Sequence, residues 1–272
     1  MKRVLLTLAA SFGILSLEAW EVAPFDNGLN DFETIEEKAK VLKQLGYNGT
    51  TWRPSNTAEV LPVLDKKDLK LYATYVVLRA TETECPIPEE TIQEIEVLKG
   101  RDTYVWLTII GETSDQIAIE AISKIADISA ANNLKVALYP HYGFKLDTVS
   151  TCLRLAKAAG KENVGLTFNL CHFLKQNNEN NLANTIQSIG DKLWLVSVNG
   201  ADSGDTRSMG WDQLIQPLGE GTFKVENVLR ELKNVGYEGP ILLQCYNIPQ
   251  PDLLHLETSK KNWTTLDLKS LN

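Results

Sequence analysis

Residues 135–173 read KVALYPHYGFKLDTVSTCLRLAKAAGKENVGLTFNLCHF. A short apolar run, KVALYPH, is followed by the helical pattern LDTVSTCLRLAKAAG and then by a second apolar run, VGLTFNL. Apolar runs of this length suit strands covered on both faces. A helix between two such strands makes them parallel, because the crossover must return the chain to the same edge. Asp147 stands at the expected N-cap of the helix.

The same alternation extends in both directions. WEVAPF, YNGTTWRP, LKLYATYVVL and TYVWLTII read as strands before this stretch, and LWLVSV and GPILLQCY as strands after it. Each is followed by a helical segment. In the first of these, Ile35, Ala39, Leu42 and Leu45 fall at three- and four-residue steps and Gly46 ends the pattern. Eight strand–helix units predict a single (β/α)8 TIM barrel over residues 20–272. An open doubly wound sheet would carry a glycine-rich phosphate loop after its first strand, and PFDNGLND is not GxGxxG.

Residues 1–19 are set apart from the barrel. Lys2 and Arg3 precede an apolar run from Val4 to Leu17, and Ala19 is a small residue where a cut is expected. This is the pattern of a secretory signal peptide, which predicts an exported protein, periplasmic or extracellular. The run is too short for an ordinary spanning helix, so no stable membrane insertion is expected once it is removed. The formal net charge is −8 with no basic block, which argues against a nucleic-acid partner. Cys85, Cys152, Cys171 and Cys245 form no CxxC. They are expected as free, mostly buried thiols, with a Cys171–Cys245 pairing left open.

In a barrel of this kind the C-terminal strand ends form the active face. Those ends carry Asp26 and Asn27, Trp52 and Arg53, Arg79, Glu112, Tyr139 and His141, Asn169 and His172, Asn199 with Asp202, and Gln244 with Tyr246. The set is polar, hydrogen-bonding and aromatic, which suits a small polyol or sugar. Trp211 lies in the long connection from Asn199 to Phe223 and can stack on a sugar or simply pack. The length and glycine content of that connection suit a loop that closes over a ligand.

KVALYPHYG, VGLTFNLCHF, LWLVSVNGAD and VGYEGPILLQCY, with QPLGEGTFKVENVLRELKNVGYEGP, resemble the xylose isomerase-like TIM-barrel superfamily. The resemblance runs from VAPFDNGLND to GPILLQCYNI. It implies sugar isomerase or epimerase chemistry and one divalent metal. The metal would be held by a Glu after the fifth strand, an Asp after the sixth, a His on the seventh and a Glu on the eighth. By position these fall on Tyr139, Asn169, the neighbourhood of Ser197 or Asn199, and Gln244, while His172 keeps the histidine after the sixth strand. Neutral residues thus replace carboxylates, although a hard dication is held mainly by anionic oxygens. His141, His172 and Gln244 remain as candidate ligands for zinc or manganese.

Two functional classes remain. One is an isomerase or epimerase that abstracts a proton next to the carbonyl of an unphosphorylated sugar or sugar derivative, with Glu112, His141 and His172 as its acid–base candidates. Its substrate contacts would come from Asp26, Arg53, Tyr139, Asn169, Asn199, Asp202, Trp211 and Tyr246. The other is a non-catalytic sugar-binding barrel that has lost its metal. Plainer roles stand beside these: Glu112 as a helix N-terminal charge, Arg53 as a salt-bridge partner, and the histidines as hydrogen-bonding pocket residues.

Overall fold

The computed structural model describes residues 20–53, 55–176 and 179–266. The signal peptide expected over residues 1–19 lies outside them. Eight parallel strands form one sheet: β1 Val22–Pro24, β2 Gly49–Trp52, β3 Lys70–Arg79, β4 Tyr104–Ile110, β5 Lys135–Leu138, β6 Val164–Asn169, β7 Leu193–Val198 and β8 Ile241–Leu243. The helices are α1 Ile35–Gln44, α2 Thr57–Lys66, α3 Glu89–Val97, α4 Asp115–Ala131, α5 Val149–Ala159, α6 Leu170–Lys175, α7 Leu182–Ile189, α8 Trp211–Leu214, α9 Glu226–Asn234 and α10 Asp252–Thr265. Each strand pairs with its chain neighbour from β2 round to β8, and β8 pairs with β1.

The ring closes between β1 and β2 by individual hydrogen bonds. Val22 N–H donates to the Asn48 side-chain oxygen at 3.0 Å, and Asn48 N–H donates to the Val22 carbonyl at 3.1 Å. The Thr50 hydroxyl donates to the Pro24 carbonyl at 2.9 Å. The expected (β/α)8 barrel is therefore the observed fold.

Local signals set the helix ends. Thr34 and Glu37 form a capping box on α1. Ser114 caps α4, which buries Ala118, Ala121, Ile122, Ile125 and Ala126 on its sheet-facing side. α5 corrects one expectation, since its N-cap is Thr148 and not Asp147. The Thr148 hydroxyl accepts the Thr151 N–H at 3.0 Å, while Asp147 accepts from the Thr151 hydroxyl at 2.9 Å. α6 was not foreseen; it starts directly at the end of β6, with Asn169 as its cap.

The two-residue alternation of each strand divides the core. Along β4, Val105, Leu107 and Ile109 join the apolar layer between sheet and helices. Trp106 instead joins a separate cluster inside the barrel with Ala23, Phe25, Ala73, Ala137, Tyr139, Leu195 and Leu242. Small alanines beside large rings let this interior fill in layers. All four cysteines are free, and Cys152, Cys171 and Cys245 are buried. No described helix is long and apolar enough to cross a membrane.

At one point the sheet tolerates no side chain. A Cβ on Gly49 would stand 2.0 Å from the carbonyl oxygen of Lys70, its register partner on β3. Backbone in a ladder cannot move aside as a flexible side chain can. Gly49→Ala is expected to lower the unfolding free energy by about 1–3 kcal/mol, read as a lower urea midpoint.

Candidate functional site

A cavity of about 450 Å³ opens at the C-terminal mouth of the barrel. Its floor is built from inside the ring by Tyr75 of β3 and Trp106 of β4. Its wall comes from residues at the strand ends and beyond: Phe25, Asp26 and Asn27 after β1, Thr51 and Arg53 at β2, Tyr139, His141 and Phe144 after β5, His172 on α6, Trp211 and Ile215 at α8, and Gln244 and Tyr246 after β8. The rings are in contact. Trp106 lies 4.3 Å from Tyr139 and 4.8 Å from Phe25 between ring centres. Such a cavity suits a small ligand with a flat apolar face and a few hydroxyls.

The polar side chains converge on one atom, the Tyr139 hydroxyl oxygen. Asn169 Nδ2 donates to it at 2.8 Å, His172 Nε2 lies 3.1 Å away, and Gln244 Nε2 lies 3.5 Å away. Tyr139 is held there because its own N–H extends the β5 ladder to the Leu107 carbonyl at 2.8 Å. Burial pushes the Tyr139 phenol well above the ordinary tyrosine range, so it stays neutral.

His141 and His172 lie against each other, 3.9 Å between ring centres, and His141 stacks on Phe144 at 3.7 Å. His141 Nδ1 is 3.1 Å from the Tyr142 carbonyl. A carbonyl only accepts, so Nδ1 carries the proton and Nε2 keeps a lone pair. Burial lowers the His141 pKa from its ordinary 6.5 to about 4. Burial drives His172 well below its ordinary range, and His141 adds to the shift. Both rings are neutral near pH 7. Asp26, the one carboxylate on the wall among the described residues, is 8% exposed and accepts from Arg53 Nε at 2.8 Å.

Residues 88–263 match the family model described as the xylose isomerase-like TIM barrel. The chain belongs to that family. It is 26% identical over 157 residues to an uncharacterized protein of Methanocaldococcus jannaschii, covering 57% of this chain and 51% of that protein. It is 21% identical over 154 residues to the inosose isomerase of Bacillus velezensis, covering 56% and 54%. The chain thus spans about half the length of these curated relatives. Among solved structures, the 3-keto-D-glucoside 4-epimerase of E. coli superposes with a TM-score of 0.68 at 16% identity, covering 90% of this chain and 99% of that one. The IOLI protein, solved with a zinc atom, gives 0.68 at 16% identity, covering 92% and 98%. At these identities the likeness to solved structures shows the fold.

Within this xylose isomerase-like barrel, nine residues expected from the sequence line the cavity: Asp26, Asn27, Arg53, Tyr139, His141, His172, Trp211, Gln244 and Tyr246. Asn169 sits behind the wall, 2% exposed, bonded to Tyr139. Three other expected residues lie outside this lining. Glu112 follows Gly111, whose φ of 97° turns the chain at the end of β4, and its side chain is exposed outside the lining. Asn199 is buried as a brace, with Nδ2 donating to the carbonyls of Gly200 at 2.7 Å and Leu214 at 2.6 Å. Asp202 accepts from Thr222 N–H at 3.2 Å and from Gln216 Nε2 at 3.3 Å. These bonds, with the paired Gly200 and Gln216 backbones, pin both ends of the connection read as a closing loop.

Phe25, Thr51, Tyr75, Trp106, Phe144 and Ile215 line the cavity without having been singled out. A signal for part of this set was present: Tyr75 and Trp106 sit at matching register on adjacent strands, with Trp106 opposite Ala137 two residues before Tyr139.

The side chains present do not fit the divalent metal that the family resemblance implies. Among the described residues no group of three or more His, Cys, Asp or Glu side chains is placed to hold one. The Gln244 side-chain oxygen already accepts from Tyr246 N–H at 3.0 Å and Asn27 Nδ2 at 3.1 Å. His172 Nε2 faces the Tyr139 hydroxyl, and the Asp26 carboxylate is tied to Arg53. The expected set of His141, His172 and Gln244 therefore does not assemble as a coordination shell.

Proposed function

We propose that the cavity binds an unphosphorylated keto sugar or related sugar derivative and moves a proton next to its carbonyl, as isomerases and epimerases do. The observation that carries this reading is His141. Its Nδ1–H is committed to the Tyr142 carbonyl, its ring is neutral near pH 7, and its Nε2 lone pair has no hydrogen-bond partner among the described residues on the wall of an aromatic cavity. That is a neutral lone pair placed to accept a proton, and the burial that keeps it neutral also makes it a weaker base than a free imidazole. The names of two similar proteins, an inosose isomerase and a 3-keto-D-glucoside 4-epimerase, support a carbonyl-bearing ring without phosphate as the substrate class. The N-terminal segment is consistent with work outside the cytoplasm, where sugar phosphates are not the usual currency.

A second reading, sugar binding without turnover, draws on Asp26. With that carboxylate tied to Arg53, the described residues offer no second wall carboxylate to return the proton. One experiment separates the two. Keto sugars and inososes are incubated with the protein in deuterium oxide, and loss of the C–H signal beside the carbonyl is followed by NMR. The isomerase reading expects exchange in the wild type and a fall of about 100-fold or more in His141→Ala. Saturable binding without exchange supports the binding reading. Neither binding nor exchange across the panel retires both.

A further inference from the structure

We propose that the Tyr139 hydroxyl takes the central place that a divalent cation would occupy at this mouth, and that Tyr139 acts as a positioning residue that fixes the tautomer of His172. The inference deepens the reading above and rests on it only for the location of the site.

The polarity of the network can be traced proton by proton. Asn169 is oriented by its cap: its Oδ1 accepts His172 N–H at 3.3 Å and the Cys171 thiol at 3.1 Å. Its Nδ2 must then face Tyr139. Gln244 is oriented in the same way, because the Tyr246 backbone N–H can only donate and so fixes Oε1 on that side. Its Nε2 must also face Tyr139. Two amide donors therefore point at the phenol oxygen. The phenol has one proton of its own, and the partner left to receive it is His172 Nε2 at 3.1 Å. His172 consequently accepts at Nε2 and carries its proton on Nδ1.

This arrangement is uncharged and satisfies the phenol and both amides, and it leaves the His172 Nδ1 proton buried with no acceptor among the described residues. It is also the wrong polarity for a cation. A dication at the same point would meet amide hydrogens where it needs oxygen lone pairs. The two amide oxygens cannot swing in, because each would abandon a backbone N–H. The substitutions at 139, 169 and 244 thus act together: a neutral hydroxyl at the centre, amides that donate to it, and a histidine that accepts from it. What the network leaves for chemistry is the neighbouring ring, His141, whose tautomer is set independently by Tyr142.

The test needs neither substrate nor turnover, so its failure is distinguishable from failure of the proposed function. The full chain is labelled with 15N-histidine, and the ring nitrogens are assigned by long-range 1H–15N correlation. The expected result is His172 protonated at Nδ1 and unprotonated at Nε2, with both signals unmoved by Zn2+. Equilibrium dialysis against Zn2+ or Mn2+ followed by elemental mass spectrometry is expected to leave far less than one ion per chain. Tyr139→Phe should release His172 to a mixture of tautomers while the His141 signals stay in place. If Tyr139→Phe does not fold, Asn169→Asp keeps the helix cap and gives an independent check. Its carboxylate would accept the phenol proton, so His172 should switch to Nε2–H. A wild-type His172 protonated at Nε2, an Asn169→Asp variant with an unchanged tautomer, or stoichiometric metal uptake by the wild type would each overturn the proposal.

Discussion

Trp106→Ala is expected to remove about 3–5 kcal/mol of stability, the range for emptying a large buried aromatic site. Trp106 is 1% exposed inside the ring of strands. It meets Phe25 edge-on, tilts over Tyr139 at 4.3 Å, and donates its indole N–H to the Thr167 hydroxyl at 2.7 Å. Thr167 is fully buried, so the variant also takes away the indole donor of a hydroxyl inside the barrel. The strands around it cannot collapse into the gap, because their ladders fix the ring. Urea unfolding at pH 7 is the measurement, with Trp106→Phe as companion. The phenylalanine keeps most of the apolar volume and is expected to cost less, chiefly the lost Thr167 bond. Equal losses for Phe and Ala would show that the hydrogen bond, and not the packing, holds the floor of the cavity.

Acid should weaken the fold well before the surface carboxylates titrate. The His141 pKa falls from its ordinary 6.5 to about 4 in the folded chain, and burial also drives that of His172 well below its ordinary range. Between those values the unfolded chain binds protons that the folded chain refuses. Stability is therefore complete above about pH 6.5 and is lost as pH falls from there towards 4. His141 accounts for on the order of 3 kcal/mol across that window, and His172 adds a loss in the same direction. Asp65 and Asp115 are held below the ordinary carboxylate range by Arg101 and by Arg154, so their losses come chiefly at lower pH. Urea midpoints measured from pH 7.5 to 4.5 test this. His141→Gln should flatten the slope in that window and leave the steeper loss at lower pH unchanged. A wild-type midpoint that is level down to pH 5 would show that both rings protonate freely in the folded state.

Much of the barrel was legible because its signals are local. The helix punctuation at Gly46, the short apolar runs and the strict alternation all act within a few residues of one another. Where a local signal had two readings, the expectation slipped. Asp147 and Thr148 are both good caps, and the backbone geometry at Thr148 selected the hydroxyl. At the site, every strand was placed in order, although KVALYPH ends as a strand at Leu138 and GPILLQCY at Leu243, and which way each residue faces depends on the turn that closes the strand. Gly111 turns Glu112 outward, whereas Tyr139 leaves β5 still in ladder with Leu107 and so points into the mouth. Asn199 and Asp202 have the polarity of ligand contacts, and the long connection after β7 uses both of them to hold itself in place.

The chain alone therefore settled the number and order of the strand–helix units, and with them a parallel barrel, because periodicity and turn chemistry are properties of neighbouring residues. It also carried neutral Tyr139, Asn169 and Gln244 at the positions where the family resemblance implies carboxylates. It could not show that Tyr139, Asn169, His172 and Gln244 meet at a single oxygen. Those residues are separated by up to 105 positions, and their meeting depends on closure of the ring, the cap on α6 and the backbone N–H of Tyr246. Hydrogen-bond direction is a property of the assembled set. It was decided only when the ends of β6 and β8 brought Asn169, His172 and Gln244 to 2.8, 3.1 and 3.5 Å from the one hydroxyl that Tyr139 carries after β5.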